Sequence, residues 1–273
     1  MTKIKTPKIL EFFAILIIML AVSMTLFSPI PNNIKLIIRV IFIVIFFISW
    51  GLFHKKNLTT AKDLAFTLLI LNLAFFIVSF FSSDFWNLQM ESSKGFALSK
   101  LSDSLIISLV LILSFIFGGY KLKSIYLTKG RLIPGLIIGI LVFTVFGYLA
   151  ISSPQQRIEP DFLRKNLVWI LIFVFANGFM EELIFRGIFL KKLNHYMKPV
   201  WLIILTSICF AVPHLTVSYT PDVLYFFGMV FVLGMICGYA MYYTRSIIAP
   251  MLIHAGADLL IILQVFASYG VID

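Results

Sequence analysis

Charge is what this 273-residue sequence has least of: Asp, Glu, Lys and Arg make up 12% of it, and 61% is hydrophobic. Soluble domains run at roughly 25% charged and about 45–50% apolar, and the mean hydropathy here is +1.04. A soluble globular protein is excluded. Long polar runs are missing too. No polar stretch exceeds about 20 residues, too short for an independent core, so there is no room for a separate soluble domain. Cysteine is nearly absent: Cys209 and Cys237 both lie in apolar runs. They read as small membrane-buried hydrophobes rather than as a disulfide or metal thiolates. No internal repeat or low-complexity tract is present, and the charged pattern of the second half has no echo in the first. That counts against an inverted-repeat transporter. The net charge of +10 does not point to a nucleic-acid partner. Its basic residues sit between apolar runs, where retention on the cytoplasmic side accounts for them.

What is present is a series of apolar runs, each near the ~20 residues that a ~30 Å hydrocarbon slab needs. The sequence predicts an all-α, polytopic membrane protein with about nine spans, or eight, at 9–27, 34–53, 64–82, 104–120, 132–152, 167–190, 200–215, 222–243 and 247–267. The first run follows Lys3, Lys5 and Lys8 and resembles a signal peptide. It is long and has no obvious small-x-small cleavage site, so it is read as an anchor that is kept. Alternate connections are basic: Lys55, Lys56 and Lys62; Lys121, Lys123, Lys129 and Arg131; Lys191, Lys192 and Lys198; then Arg245. The others carry Asp84, Glu91 and Asp103; Glu159 and Asp161; and Asp222, with Lys94, Lys100, Arg157, Arg164 and Lys165 as exceptions. The positive-inside rule places the N-terminus in the cytoplasm, and nine spans then place Asp273 outside. Tyr120 to Arg131, basic with interleaved Leu122, Ile125, Tyr126 and Leu127, reads either as a short amphipathic helix on the membrane surface or as a solvated loop. Ser82 to Asp103 is the longest external loop, and its Phe85 and Trp86 suit the interface.

Against this apolar background one segment stands out: Gly178-Phe-Met-Glu181-Glu182-Leu-Ile-Phe-Arg186-Gly187. Removing its charges from water costs several kcal/mol per ion unless they are paired or solvated, so such a cluster is by default a candidate functional site. Glu181 falls ten residues before Lys191, about 15 Å along a helix. Glu182 and Arg186 are four apart and can pair. Glu181, about 100° round the helix, is left without a built-in partner and free for acid–base work. The seventh span ends in Phe210-Ala-Val-Pro213-His214; a proline there bends the helix, which is tolerated where the helix lines a cavity. The ninth contains His254-Ala-Gly-Ala-Asp258, with imidazole and carboxylate on one face and three small residues suited to close packing. Singly, each set could merely staple helices together. Jointly, Glu181, Glu182, Arg186, His214, His254 and Asp258 are confined to three of the last four spans. Two imidazoles with carboxylates can activate a water, either as base and orienter or around a metal held by Glu181, His214 and His254, such as zinc.

The three motifs Glu-Glu-x-x-x-Arg, Phe-x-x-x-His and His-x-x-x-Asp, in this order at membrane depth, resemble the CPBP family. These are the type II CaaX prenyl endopeptidases and the bacteriocin-processing or self-immunity membrane proteins, also called Abi. The resemblance covers about 170–265 and divides the chain into N-terminal spans (1–160) and a catalytic helical core (161–273). It implies an intramembrane endopeptidase opening toward the cytoplasm. Glu181 and His214 would activate the attacking water, with Glu182 and Arg186 in support. His254 and position 258 would stabilise the oxyanion. Eukaryotic prenyl proteases typically have Asn at that last position. An ionised Asp only accepts hydrogen bonds, so Asp258 either stays protonated, ligates a metal or orients His254, the last being the favoured reading.

Short loops, basic charge and abundant Phe and Ile suggest a Gram-positive plasma membrane. There the resemblance implies cleavage of a peptide or membrane-protein substrate in leader-peptide or bacteriocin processing, or immunity. Two rival functions stay open: a non-catalytic membrane scaffold or immunity protein, and a lipid- or acyl-modifying enzyme on the same residues.

Overall fold

A computed structural model describes residues 9–27, 30–81, 83–152, 158–217, 220 and 222–269. Lys3, Lys5, Lys8, Ser82, Arg157 and Asp273, used above for topology, lie outside them. Among the described residues the chain is all helix, with no strand: α1 (Ile9–Phe27), α2 (Asn32–Lys55), α3 (Thr59–Val78), α4 (Ser93–Phe117), α5 (Leu132–Ile151), α6 (Pro160–Glu182), α7 (Pro199–Ala211), α8 (Val223–Thr244) and α9 (Ile248–Ser268). Among the described residues eight segments are long and apolar enough to cross a membrane, and α1 contributes a shorter apolar helix, Glu11–Phe27.

The element order follows the hydropathy, with two departures. The fourth helix begins at Ser93, not near 104, because its first turns are polar. Ser92 caps it, accepting from the Gly95 N–H at 3.1 Å, the usual role of an N-cap serine. Ala97, Ser104, Ile107, Ser108, Leu111 and Phe115 then form the buried face. Lys94 and Lys100, exceptions to the charge alternation, lie over the rings of Trp169 and Phe173 on α6, each at 5.7 Å. Cation–π contact and snorkelling keep such lysines at a helix end regardless of topology. The second departure is the stretch from Tyr120 to Arg131. It is neither a surface helix nor an open loop. A single 3₁₀ turn at Leu122–Ile125 is followed by Tyr126 in the left-handed region at φ 56°, and Ile125 and Tyr126 are buried.

Helix α6 packs against both α4 and α9. Helix α9 in turn contacts α5, α6 and α8, while α7 lies against α8 and α1. Beyond Glu182 the sixth span continues as π-helical turns over Leu183–Leu190, all eight residues of which are buried. A π segment re-aims side chains within an otherwise regular helix and recurs at functional sites. Helix α7 gives way at Ala211 to a 3₁₀ turn, Val212–Thr216, with Pro213 in it, as a proline that cannot continue the α ladder requires.

Candidate active site

The three motif-bearing segments converge. Glu182 and Arg186, both fully buried, form the expected pair, with Arg186 Nη1 donating to Glu182 Oε1 at 2.7 Å. The second terminal nitrogen of Arg186 donates to the Gly234 carbonyl on α8 at 3.2 Å, and the guanidinium lies 4.4 Å from the Phe210 ring centre. Gly234 is glycine for lack of room: a Cβ there would meet Arg186 Nη2 at 3.1 Å and Ser207 Cβ at 3.0 Å. A similar close approach brings α6 against α9, where a Cβ on Gly178 would meet the Met251 carbonyl at 3.2 Å and the Ala255 nitrogen at 3.3 Å. Gly178 and Ala255 thus let α9 bring His254 up to the carboxylates of α6, whereas Gly256 faces α5, where a Cβ would meet Phe143 Cα at 2.8 Å.

His254 is 2% exposed and surrounded by three carboxylates. Its Nδ1 is 2.8 Å from Glu182 Oε1, and its Nε2 is 3.7 Å from Glu181 Oε2 and 3.5 Å from Asp258 Oδ1. An ionised carboxylate only accepts, which assigns a proton to Nδ1 and turns Nε2 toward Glu181 and Asp258. The shortest contact that fixes the ring therefore comes from Glu182, itself clamped by Arg186, and not from Asp258. Asp258 is held instead by Asn177, whose Nδ2 donates to Oδ2 at 2.9 Å. The sequence reading passed over Asn177. It lies four residues before Glu181, on the same face of α6, and that spacing was the available signal.

His214 joins the group through an aromatic ring rather than a carboxylate. The Phe210 ring stands 5.1 Å from the imidazole of His214 and 5.4 Å from that of His254. The Phe210 carbonyl accepts from His214 Nδ1 at 2.9 Å, so the Nε2 of a neutral His214 is an acceptor. Phe210 is thus the hub that keeps Arg186, His214 and His254 around one another. Three polar atoms here are buried without a hydrogen-bond partner among the described residues: Glu182 Oε2, Arg186 Nε and Asn177 Oδ1. Cys209 and Cys237 are free and buried.

Among the described residues no group of three His, Cys, Asp or Glu is placed to hold a metal ion.

The embedded ionisable residues are not, however, confined to the last spans. Arg39 on α2 is 6% exposed and donates to the carbonyls of Phe75 on α3, at 2.9 Å, and Thr25 on α1, at 3.4 Å. Its partners are backbone atoms, so no side-chain pattern in the sequence announces them.

Comparison with known proteins bears on the same region. No curated protein and no solved structure matches the chain. Residues 163–260 match a family model, type II CAAX prenyl endopeptidase Rce1-like. All six charged and imidazole residues of the site fall inside that span, and the resemblance first carried by three short motifs extends across it.

Proposed function

We propose that the chain is an intramembrane endopeptidase in which Glu181 activates the attacking water. The observation that carries this is the contrast between two adjacent glutamates. Glu182 is fully buried and held by both Arg186 and His254. Among the described residues Glu181 has no hydrogen-bond partner and approaches His254 at 3.7 Å, and its side chain keeps 11% exposure. A carboxylate that must take up and release a proton needs that freedom; one that fixes geometry does not.

In this reading Glu181 takes a proton from water as the hydroxyl adds to the scissile carbonyl carbon. The oxyanion forms beside the imidazoles, where a protonated Nε2 of His254 donates to it. Glu182, with Arg186, keeps the His254 ring in register, and Asn177 keeps Asp258 beside Nε2. As the carbon–nitrogen bond breaks, the proton held by Glu181 passes to the leaving amine. The site lies about 15 Å or less from the basic end of the sixth span, which favours cleavage of a peptide or membrane-protein segment near the cytoplasmic side.

The test compares membrane and secreted peptides by mass spectrometry from cells carrying wild type, Glu181→Gln, or no protein. Loss of a general base lowers the rate on the order of 10²–10⁴-fold. A processed peptide that vanishes equally in Glu181→Gln and in the deletion supports the peptidase and names its substrate. A peptide lost only in the deletion would make Glu181 structural and favour the scaffold reading.

A further inference from the structure

A second polar cavity lies away from these carboxylates, at the end of the bundle where the basic connections emerge. It has a volume of about 190 Å³ and is lined by Asp63, Tyr120, Ser124, Lys191, Lys192 and His195. These come from the start of α3, the connection after α4, and the end of the sixth span. The volume is about six times the ~30 Å³ share of a liquid water, room for one compact polar group and its hydration.

Its charges are unbalanced. Lys192 is buried at 9% exposure, and its ammonium lies 3.9 Å from the Tyr120 ring centre and 4.8 Å from that of Phe115. The Lys191 ammonium lies 4.8 Å from the Tyr126 ring centre. Neither is in an ion pair among the described residues. The one carboxylate of the lining, Asp63, is engaged: Tyr120 donates its hydroxyl to Oδ1 at 2.5 Å. Burial and that hydrogen bond raise the Tyr120 phenol well above its ordinary pKa, so it remains the donor. Two ammonium groups against one carboxylate leave the lining net positive. Ser124 adds a buried hydroxyl oxygen with no hydrogen-bond partner among the described residues. A buried, unpaired ammonium is costly to keep charged. Here the buried Lys192 ammonium and the half-buried Lys191 ammonium face one cavity together with an unused hydroxyl.

We propose that this cavity binds a phosphate group, supplied by the headgroup of an anionic phospholipid or by a soluble phosphate. The surroundings favour the lipid. The Phe66 ring packs on Trp50, Phe115 and Tyr120 at 6.4, 5.8 and 5.5 Å, and such aromatic clusters mark the level of the headgroups. Basic pockets between membrane helices on the cytoplasmic side recognise anionic headgroups. The proposal does not depend on the peptidase reading.

The experiment uses the full chain, delipidated in a non-ionic detergent, with bound species counted by native mass spectrometry. Phosphatidylglycerol, diacylglycerol without phosphate, and inorganic phosphate are titrated separately. Phosphatidylglycerol is expected to bind and diacylglycerol not. Lys192→Gln should weaken binding about tenfold, the worth of one charge-assisted contact, Lys192→Arg should retain it, and Lys56→Gln on the exposed loop should leave it unchanged. Competition by inorganic phosphate at similar concentration assigns the site to soluble phosphate; its absence assigns it to lipid. If Lys192→Gln does not fold, Ser124→Asp places a carboxylate in the cavity wall and should abolish binding. Equal binding of diacylglycerol, or binding unchanged in Lys192→Gln or Ser124→Asp, overturns the proposal.

Discussion

Arg186→Met isolates the contact on which the candidate site rests. The guanidinium is fully buried and holds Glu182 at 2.7 Å and the Gly234 carbonyl at 3.2 Å. Removing one partner of a buried ion pair costs about 3–5 kcal/mol, because the other charge is left uncompensated. The orphaned carbonyl adds about 1–3 kcal/mol. His254 offsets part of this, since its Nδ1 stays 2.8 Å from the same carboxylate oxygen. The net expectation is about 4–6 kcal/mol, a large share of the ~5–15 kcal/mol that stabilises a typical domain. Glu182→Gln, which strands the guanidinium instead, should cost about 3–5 kcal/mol. The double variant removes both charges and should cost less than the two singles together by at least about 2 kcal/mol. Unfolding in mixed micelles, followed by helical signal, reads all four corners of the cycle. Single costs that add to within about 0.5 kcal/mol would show that Arg186 and Glu182 act independently, and the account of His254 orientation given above would fail.

Two further variants test the geometry around this pair. Gly234→Ala places a methyl 3.1 Å from Arg186 Nη2 and should destabilise by about 1–3 kcal/mol through overpacking, with cleavage reduced because Arg186 must move; unchanged melting in detergent refutes the close approach. Asn177→Leu removes the donor to Asp258 and should lower kcat by about tenfold to a hundredfold through misplacement while leaving KM within about twofold. A KM effect with normal kcat would place Asn177 in substrate binding instead.

The helices were legible in sequence wherever hydropathy alone decides, and so were the contacts that follow from spacing on one helix. The Glu182–Arg186 bond is of this kind, as is the shared face of His254 and Asp258. What spacing cannot give is the partner on another helix. That Glu182 rather than Asp258 makes the shortest contact to His254 depends on how α6 and α9 approach across Gly178 and Ala255. The π turns after Glu182 were also hidden, since Leu183–Leu190, apolar apart from Arg186 and Gly187, reads the same in any helical form. The polar first turns of α4 masked a helix because Ser, Lys and Asp lower hydropathy without breaking the buried stripe of Ala97, Ser104, Ile107 and Leu111.

Arg39 shows where the argument from embedded charge reaches its limit. Arg186 and Arg39 are both buried guanidinium groups in apolar helices, yet they do different things. Arg186 is neutralised by a carboxylate that also holds an imidazole, so its charge is tied to groups that exchange protons. Arg39 is satisfied by the carbonyls of Phe75 and Thr25 and by the Phe75 ring, 5.6 Å away; it ties α1, α2 and α3 together and has no proton acceptor of its own. The two are nevertheless joined through packing. Phe75 contacts Phe27 at 5.3 Å, Phe27 contacts Phe185 of the π turns at 5.5 Å, and Phe185 contacts Phe210 at 5.3 Å. That line of rings runs from the N-terminal spans to the residue around which Arg186, His214 and His254 are gathered. Close-packed interiors transmit displacement rather than absorb it. The N-terminal helices therefore supply the wall that holds the π turns in place, although the family match begins only at residue 163.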